Sequence, residues 1–138
     1  MKPLQMPMFS PETEWIPPTH LPDLKDHKEI AIDLETRDPG LKSSGSGSVN
    51  GNGEVVGIAV AVEGWSGYFP IAHEGGGNMD RALVLDWFEE VLHTDATKIF
   101  HNAMYDVSWI RSMGFYIRGG IIDTLIAASL IDENRWGY

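Results

Sequence analysis

The chain reads as an α/β fold: a mixed sheet opened by a three-strand meander and continued by alternating helices and strands. Two observations predict it. Apolar runs of strand length, Glu29 to Leu34, Val55 to Val62 and Trp65 to Pro70, follow one another between turn-forming residues. After Gly75-Gly76-Gly77-Asn78 the apolar spacing turns helical and alternates with short strand-like segments, the pattern of helices packed on a sheet.

Each element has its own reason. Six of the eight prolines (Pro3, Pro7, Pro11, Pro17, Pro18, Pro22) lie early in the chain, so residues 1–28 read as an extended arm. Trp15, Ile16, Leu21 and Leu24 are its candidate anchors. The domain proper spans residues 29–138. Its first strand ends in Asp33-Leu34-Glu35, and the polar Thr36-Arg37-Asp38-Pro39-Gly40 turns away. Residues 37–53, rich in Gly and Ser, read as a long flexible loop. Small and β-branched residues alternate from Val55 to Val62, and a tight turn at Glu63-Gly64 leads to the third strand.

Asp80 is placed to cap a helix in which Leu83, Trp87 and Val91, with Ala82, Leu85, Phe88 and Leu92, face the core. Lys98 to Phe100 is a short strand, and Ala103 to Met113 a helix ended by Gly114. Phe115-Tyr116-Ile117 and Ile121-Ile122 flank a turn at Arg118-Gly119-Gly120, and Thr124 to Asp132 is a last, apolar helix. This order is that of the ribonuclease H-like fold.

Composition bounds the function. The chain has 138 residues, no cysteine and a net charge of −10. The missing thiols remove disulfides, thiolate metal sites and thiol nucleophiles, and suit a reducing cytoplasm. No signal-peptide pattern is visible, and no apolar run approaches a membrane span, so a membrane role is set aside. The acidic balance argues against an independent nucleic-acid-binding module, because neutralising phosphates supplies much of such affinity. It argues less against a metal-dependent nuclease, whose cations reverse the local charge.

The chemistry concentrates in two places. Residues i and i+2 of a strand share a face, so Asp33 and Glu35 point the same way, repel each other and resist burial. A hard divalent cation relieves that repulsion. The second place is His101-Asn102-Ala103-Met104-Tyr105-Asp106. Asn102 opens a helix and Asp106 projects four residues on, beside the core-facing Ala103, Val107 and Ile110. If folding brings Asp106 to Asp33 and Glu35, three carboxylates begin a two-metal site, able to stabilise the attacking and leaving oxygens of a phosphoryl displacement.

Asp33-x-Glu35-Thr36, Asn102-x-x-Tyr105-Asp106 and Asp123-Thr124, in this order, resemble the first two motifs of the DEDD-type 3′–5′ exonucleases. The likeness spans residues 30–136 and is fullest to the proofreading domain of family A (polymerase I-like) DNA polymerases, phage versions in particular. The resemblance implies that Asp33, Glu35 and Asp106 are catalytic metal ligands for two Mg²⁺ or Mn²⁺ ions. It implies that Thr36, Asn102 and Tyr105 contact or support the strand, that Asp123 is structural, and that the partners are a single-stranded DNA 3′ end and a polymerase domain or chain. The family's third motif, Tyr or His followed four residues later by Asp, has no counterpart in the sequence. The expectation is therefore a partial exonuclease domain whose C-terminal helices are missing, with one sheet flank open to self-association.

Plainer readings stand beside these. Thr36 is equally suited to capping the turn after the strand. Asn102 with Asp106 can be an N-cap and an exposed helix residue, and Asp123 a helix cap. His101 reads as a partly buried packing residue, His20, His27, His73 and His93 as surface residues, and Trp87, Phe88 and Trp109 as core. The competing function is an inactive or very weak exonuclease-like module that binds nucleic acid or serves assembly.

Overall fold

A computed structural model describes residues 15–134. Ten elements run in the order β1 (Glu29–Arg37), α1 (Leu41–Ser44), α2 (Gly47–Asn50), β2 (Glu54–Val62), β3 (Trp65–Pro70), α3 (Arg81–Leu92), β4 (Thr97–Phe100), α4 (Ala103–Ser112), β5 (Ile121–Asp123) and α5 (Thr124–Ile131). The strands form one sheet in the order β3-β2-β1-β4-β5. β1 to β3 are antiparallel, while β4 and β5 run parallel to β1. The α/β mixed sheet with its opening meander is therefore present, and the outermost Pro3, Pro7, Pro11, Trp136 and Tyr138 lie outside the described residues.

Alternation in β1 decides the two faces of the sheet. Ile30, Ile32 and Leu34 are buried, and they join Ile58, Val60 and Phe69 under Val84, Trp87, Phe88, Trp109 and Ile110 of α3 and α4. Ala31, Asp33 and Glu35 face the other way. There a groove of about 790 Å³ runs over Ala31, Asp33, Ala59, Ala61 and Ile99, bounded by Trp15, Tyr68, His101 and Thr124.

Several expectations need correction. β1 continues to Arg37, so Asp33, Glu35 and Thr36 lie within the strand, and Thr36 caps no turn. The Gly/Ser segment forms two single-turn helices, the second capped by Ser46 and fastened to α4 by a Ser48–Ser108 hydroxyl pair at 2.7 Å. Asp80 caps α3 through Leu83 N–H, yet the buried stripe is Val84, Trp87, Phe88, Val91 and Leu92; Leu83 and Ala82 are exposed. In the arm, Leu24 is buried and Trp87 Nε1–H donates to Pro22 O at 2.7 Å, whereas Ile16 stays exposed. α5 buries none of its residues.

Lys98 occupies a core position of β4 and is 0% exposed. Its Nζ donates to Thr94 O at 2.5 Å, Ala96 O at 2.9 Å and Arg118 O at 2.8 Å, with Thr94 Oγ1 at 3.1 Å. The ammonium thus ties the end of α3 to the segment entering β5. Burial holds its pKa below the ordinary lysine value, with Asp95 opposing. Lys98→Met leaves these carbonyls without their donor and is expected to lower unfolding free energy by about 2 kcal/mol in urea titrations.

Candidate active site

The site forms where β1 outruns β4. The parallel pairing ends at Ala31 and Ile99, and β4 itself stops at Phe100. Beyond that point β1 has no strand neighbour on this side, and the first turn of α4 takes the place. Asp106 Oδ1 accepts the Leu34 backbone N–H at 3.0 Å, supplying the acceptor that a longer β4 would have supplied. Such a crevice, outside the carboxyl end of a strand, is where open α/β sheets place ligands.

Asp106 is 3% exposed. Burial drives its pKa up; the Leu34 N–H works against this, the charge of Asp33 adds to it, and the net result is about 6. So Asp106 is not the exposed helix residue of the plainer reading. Asp33 and Glu35 stand exposed on the outer face, opposite Ala59 and Gly57 of β2. The structure brings Asp106 into electrostatic range of Asp33. Yet among the described residues no three Asp, Glu or His side chains group closely enough to hold a metal ion. Asp33 and Asp106 are thus neighbours, while the expected three-carboxylate cluster is not gathered into a metal cage among the described residues. The donors themselves suit a hard cation: they are all oxygen, and the charge of Asp33 opposes that of Asp106.

A bulge between Glu35 and Thr36 adds twist at this end of the β1–β2 pair. Thr36 points to the helix side, where its Oγ1 meets Tyr105 Oη at 2.7 Å. Tyr105 Oη–H in turn donates to Asp38 Oδ2 at 3.0 Å, and Asp38 Oδ1 accepts Gly47 N–H at 3.0 Å. Thr36 and Tyr105, separate candidates in the sequence, are one hydrogen-bonded pair.

Asn102 initiates α4 from the left-handed region, φ 67°, and makes no side-chain cap. Asparagine tolerates that conformation better than other non-glycine residues. The cap comes from elsewhere. Asp123 Oδ1 accepts Asn102 N–H at 2.9 Å and its Oδ2 accepts Ala103 N–H at 2.8 Å, while Oδ1 also takes Leu125 N–H of α5 at 3.0 Å. Desolvation raises the Asp123 pKa, but these donors outweigh it and leave the carboxyl below its ordinary value. Its structural role extends to two helices. His101 is exposed, not partly buried; because Thr124 Oγ1–H donates to Phe100 O, His101 Nδ1–H must donate to Thr124 Oγ1.

Two features escaped the sequence reading. Asp38 looked like a turn residue, and only its fold partners reveal it. Tyr68 lies across Gly57 so closely that a Cβ there would come within 1.9 Å of its hydroxyl. That places the hydroxyl beside Glu35, the cross-strand neighbour of Gly57, and His73 Nε2 meets it at 2.5 Å. Burial raises the Tyr68 pKa and the Glu35 charge adds to the rise.

Residues 18–138 match the family described as 3′–5′ exonuclease. The chain belongs to the 3′–5′ exonuclease domain family of family A DNA polymerases. It is 44% identical to a DNA-directed DNA polymerase of Pseudomonas phage M6, covering 98% of this chain and 23% of that one. It is 27% identical to DNA polymerase I of Borreliella burgdorferi over 80% of this chain and 11% of that one. The chain therefore spans less than a quarter of the length of these relatives. Among solved structures, Brucella melitensis NrnC superposes with a TM-score of 0.54 at 20% identity, over 84% of this chain and 50% of its own. The Pol1 structure from M. smegmatis superposes at 0.51 and 14% identity, over 78% of this chain and 16% of its own. Both likenesses establish the fold, a ribonuclease H-like one.

Asp106 makes stability depend on pH. Its carboxyl keeps its proton to about pH 6 in the folded chain, against 3.8 for the ordinary group. Between these values the folded state binds more protons, so metal-free stability falls as pH rises from about 4 to about 6 and then levels. Asp106→Asn keeps an acceptor for Leu34 N–H without the charge. Urea titrations at pH 7.5 are expected to show the metal-free variant more stable than wild type by on the order of 2 kcal/mol, the two converging below pH 4.

Proposed function

We propose that the chain acts as a metal-dependent proofreading exonuclease domain, hydrolysing the terminal phosphodiester at a single-stranded DNA 3′ end for a DNA polymerase. The observation that carries this reading is Asp106: a buried carboxylate fastened to β1 beside Asp33, with like charge on like charge and neither in a salt bridge among the described residues. Asp33, Glu35 and Asp106 would hold two Mg²⁺ or Mn²⁺ ions. Bound there, the ions supply an activated water and charge stabilisation for the departing oxygen. The Leu34 N–H fixes Asp106 Oδ1 against β1. Thr36 and Tyr105, paired on the helix side, would orient the strand together with Asn102. In the reaction water oxygen bonds to phosphorus, the bond from phosphorus to the 3′ oxygen breaks, and that oxygen takes a proton as a nucleoside monophosphate leaves.

The test uses 5′-labelled single-stranded DNA with Mn²⁺. Wild type is expected to shorten it from the 3′ end, chelator to stop it, and Asp33→Ala to slow it at least a hundredfold, as expected when a group acting in the transition state is lost. Equal rates for variant and wild type would remove this site from the chemistry.

A second reading, a weakly active or inactive binding or assembly module, is favoured by the lack of a closed three-ligand group among the described residues and by the charge of −10. Titration calorimetry separates the two: this reading expects Mn²⁺ heats with no turnover. Under either reading the open sheet face and α5, with Leu130 82% and Ile131 84% exposed, favour self-association. Sedimentation velocity is expected to show a concentration-dependent dimer, diminished in Leu130→Glu/Ile131→Glu. Among the described residues no helix is long and apolar enough to cross a membrane.

A further inference from the structure

We infer that Asp38 is a positioning residue that sets the direction of the hydroxyls at the site and thereby makes Thr36 an acceptor only. This rests on the exonuclease reading above. Tyrosine has one hydroxyl hydrogen, and Tyr105 directs it to Asp38 Oδ2, a carboxylate that can only accept. The 2.7 Å contact between Tyr105 and Thr36 then requires Thr36 Oγ1–H to donate to Tyr105. Thr36 is left with lone pairs alone, so a strand end reaching it must bring a hydrogen. A terminal 3′-hydroxyl does so, and a terminal phosphate dianion does not. The second oxygen of Asp38 is committed to Gly47 N–H, which holds α2 and with it the whole Gly/Ser segment against this end of β1. One carboxylate therefore fixes both the segment and the proton order.

Asp38→Asn separates these two tasks. The amide oxygen must stay on Gly47 N–H, because two N–H donors cannot face each other there. The amide NH₂ then points at Tyr105, whose hydroxyl can turn and accept. Tyr105 now donates to Thr36, and Thr36 is freed to donate outward. The fold is kept and the polarity reversed.

Two measurements on the whole chain test this. In ¹³C-tyrosine-labelled protein, the Tyr105 Cζ resonance is expected to move in Asp38→Asn and stay in place in Ser48→Ala, which loosens the same segment elsewhere. In Ca²⁺ buffer, wild type is expected to bind a 3′-hydroxyl oligonucleotide about fivefold more tightly than its 3′-deoxy or 3′-phosphate counterpart, the worth of one neutral hydrogen bond. Asp38→Asn and Tyr105→Phe, which frees Thr36 without touching Gly47, are expected to lose that preference. An unmoved Cζ resonance, or a preference retained in both variants, overturns the assignment of Asp38. A moved resonance with no end preference in wild type upholds the hydroxyl order and overturns the 3′-end reading instead.

Discussion

The hydrogen bond from Leu34 N–H to Asp106 Oδ1 joins residues 72 apart in sequence and decides where the chemistry of this fold can sit. It closes the β1 ladder where β4 has ended, and so holds the first turn of α4 against a strand that carries two further carboxylates. Without it a buried N–H would lack an acceptor, α4 would have no fixed height along β1, and Asp106 would have no reason to remain beside Asp33. The cost is a carboxylate whose charge the folded chain disfavours. That tension between a good backbone contact and a bad electrostatic one marks a binding site better than either half alone.

Strand alternation divides the labour of one short segment between two sides of the sheet. Asp33 and Glu35 look outward over the small residues Ala59 and Gly57, and the Tyr68 ring fills the space that Gly57 leaves beside Glu35. Thr36, one residue on, belongs to the helix side and to Tyr105. Four consecutive residues thus serve a carboxylate face and a hydroxyl face, with Leu34 between them as core.

The sheet was legible because strand periodicity and turn residues agreed along the meander, and of the motif carboxylates the structure brings Asp106 near Asp33. What the sequence hid has physical causes. Lys98 occupies an inward position by alternation, but its charge argued against burial, and the carbonyls of Thr94, Ala96 and the more distant Arg118 make it tolerable. In α3 the expected Trp87, Phe88, Val91 and Leu92 are buried, but Leu83 and Val84 are both apolar and only the sheet beneath selects Val84. The helices of the Gly/Ser segment carry no apolar period, being held by polar contacts to Asp38 and Ser108. Asn102 was read as a cap from its type, whereas its backbone conformation was the property used.

Asp123 gives the domain an order in time as well as in space. Its carboxylate supplies the acceptors for the first N–H groups of α4, twenty residues behind it, and for the start of α5. As the chain leaves a ribosome, β1 and the Asp106 turn are both made well before this acceptor exists. The first turn of α4 therefore lacks these two acceptors until β5 has docked, so the flank of the crevice gains its cap only once nearly all of the described domain is in place.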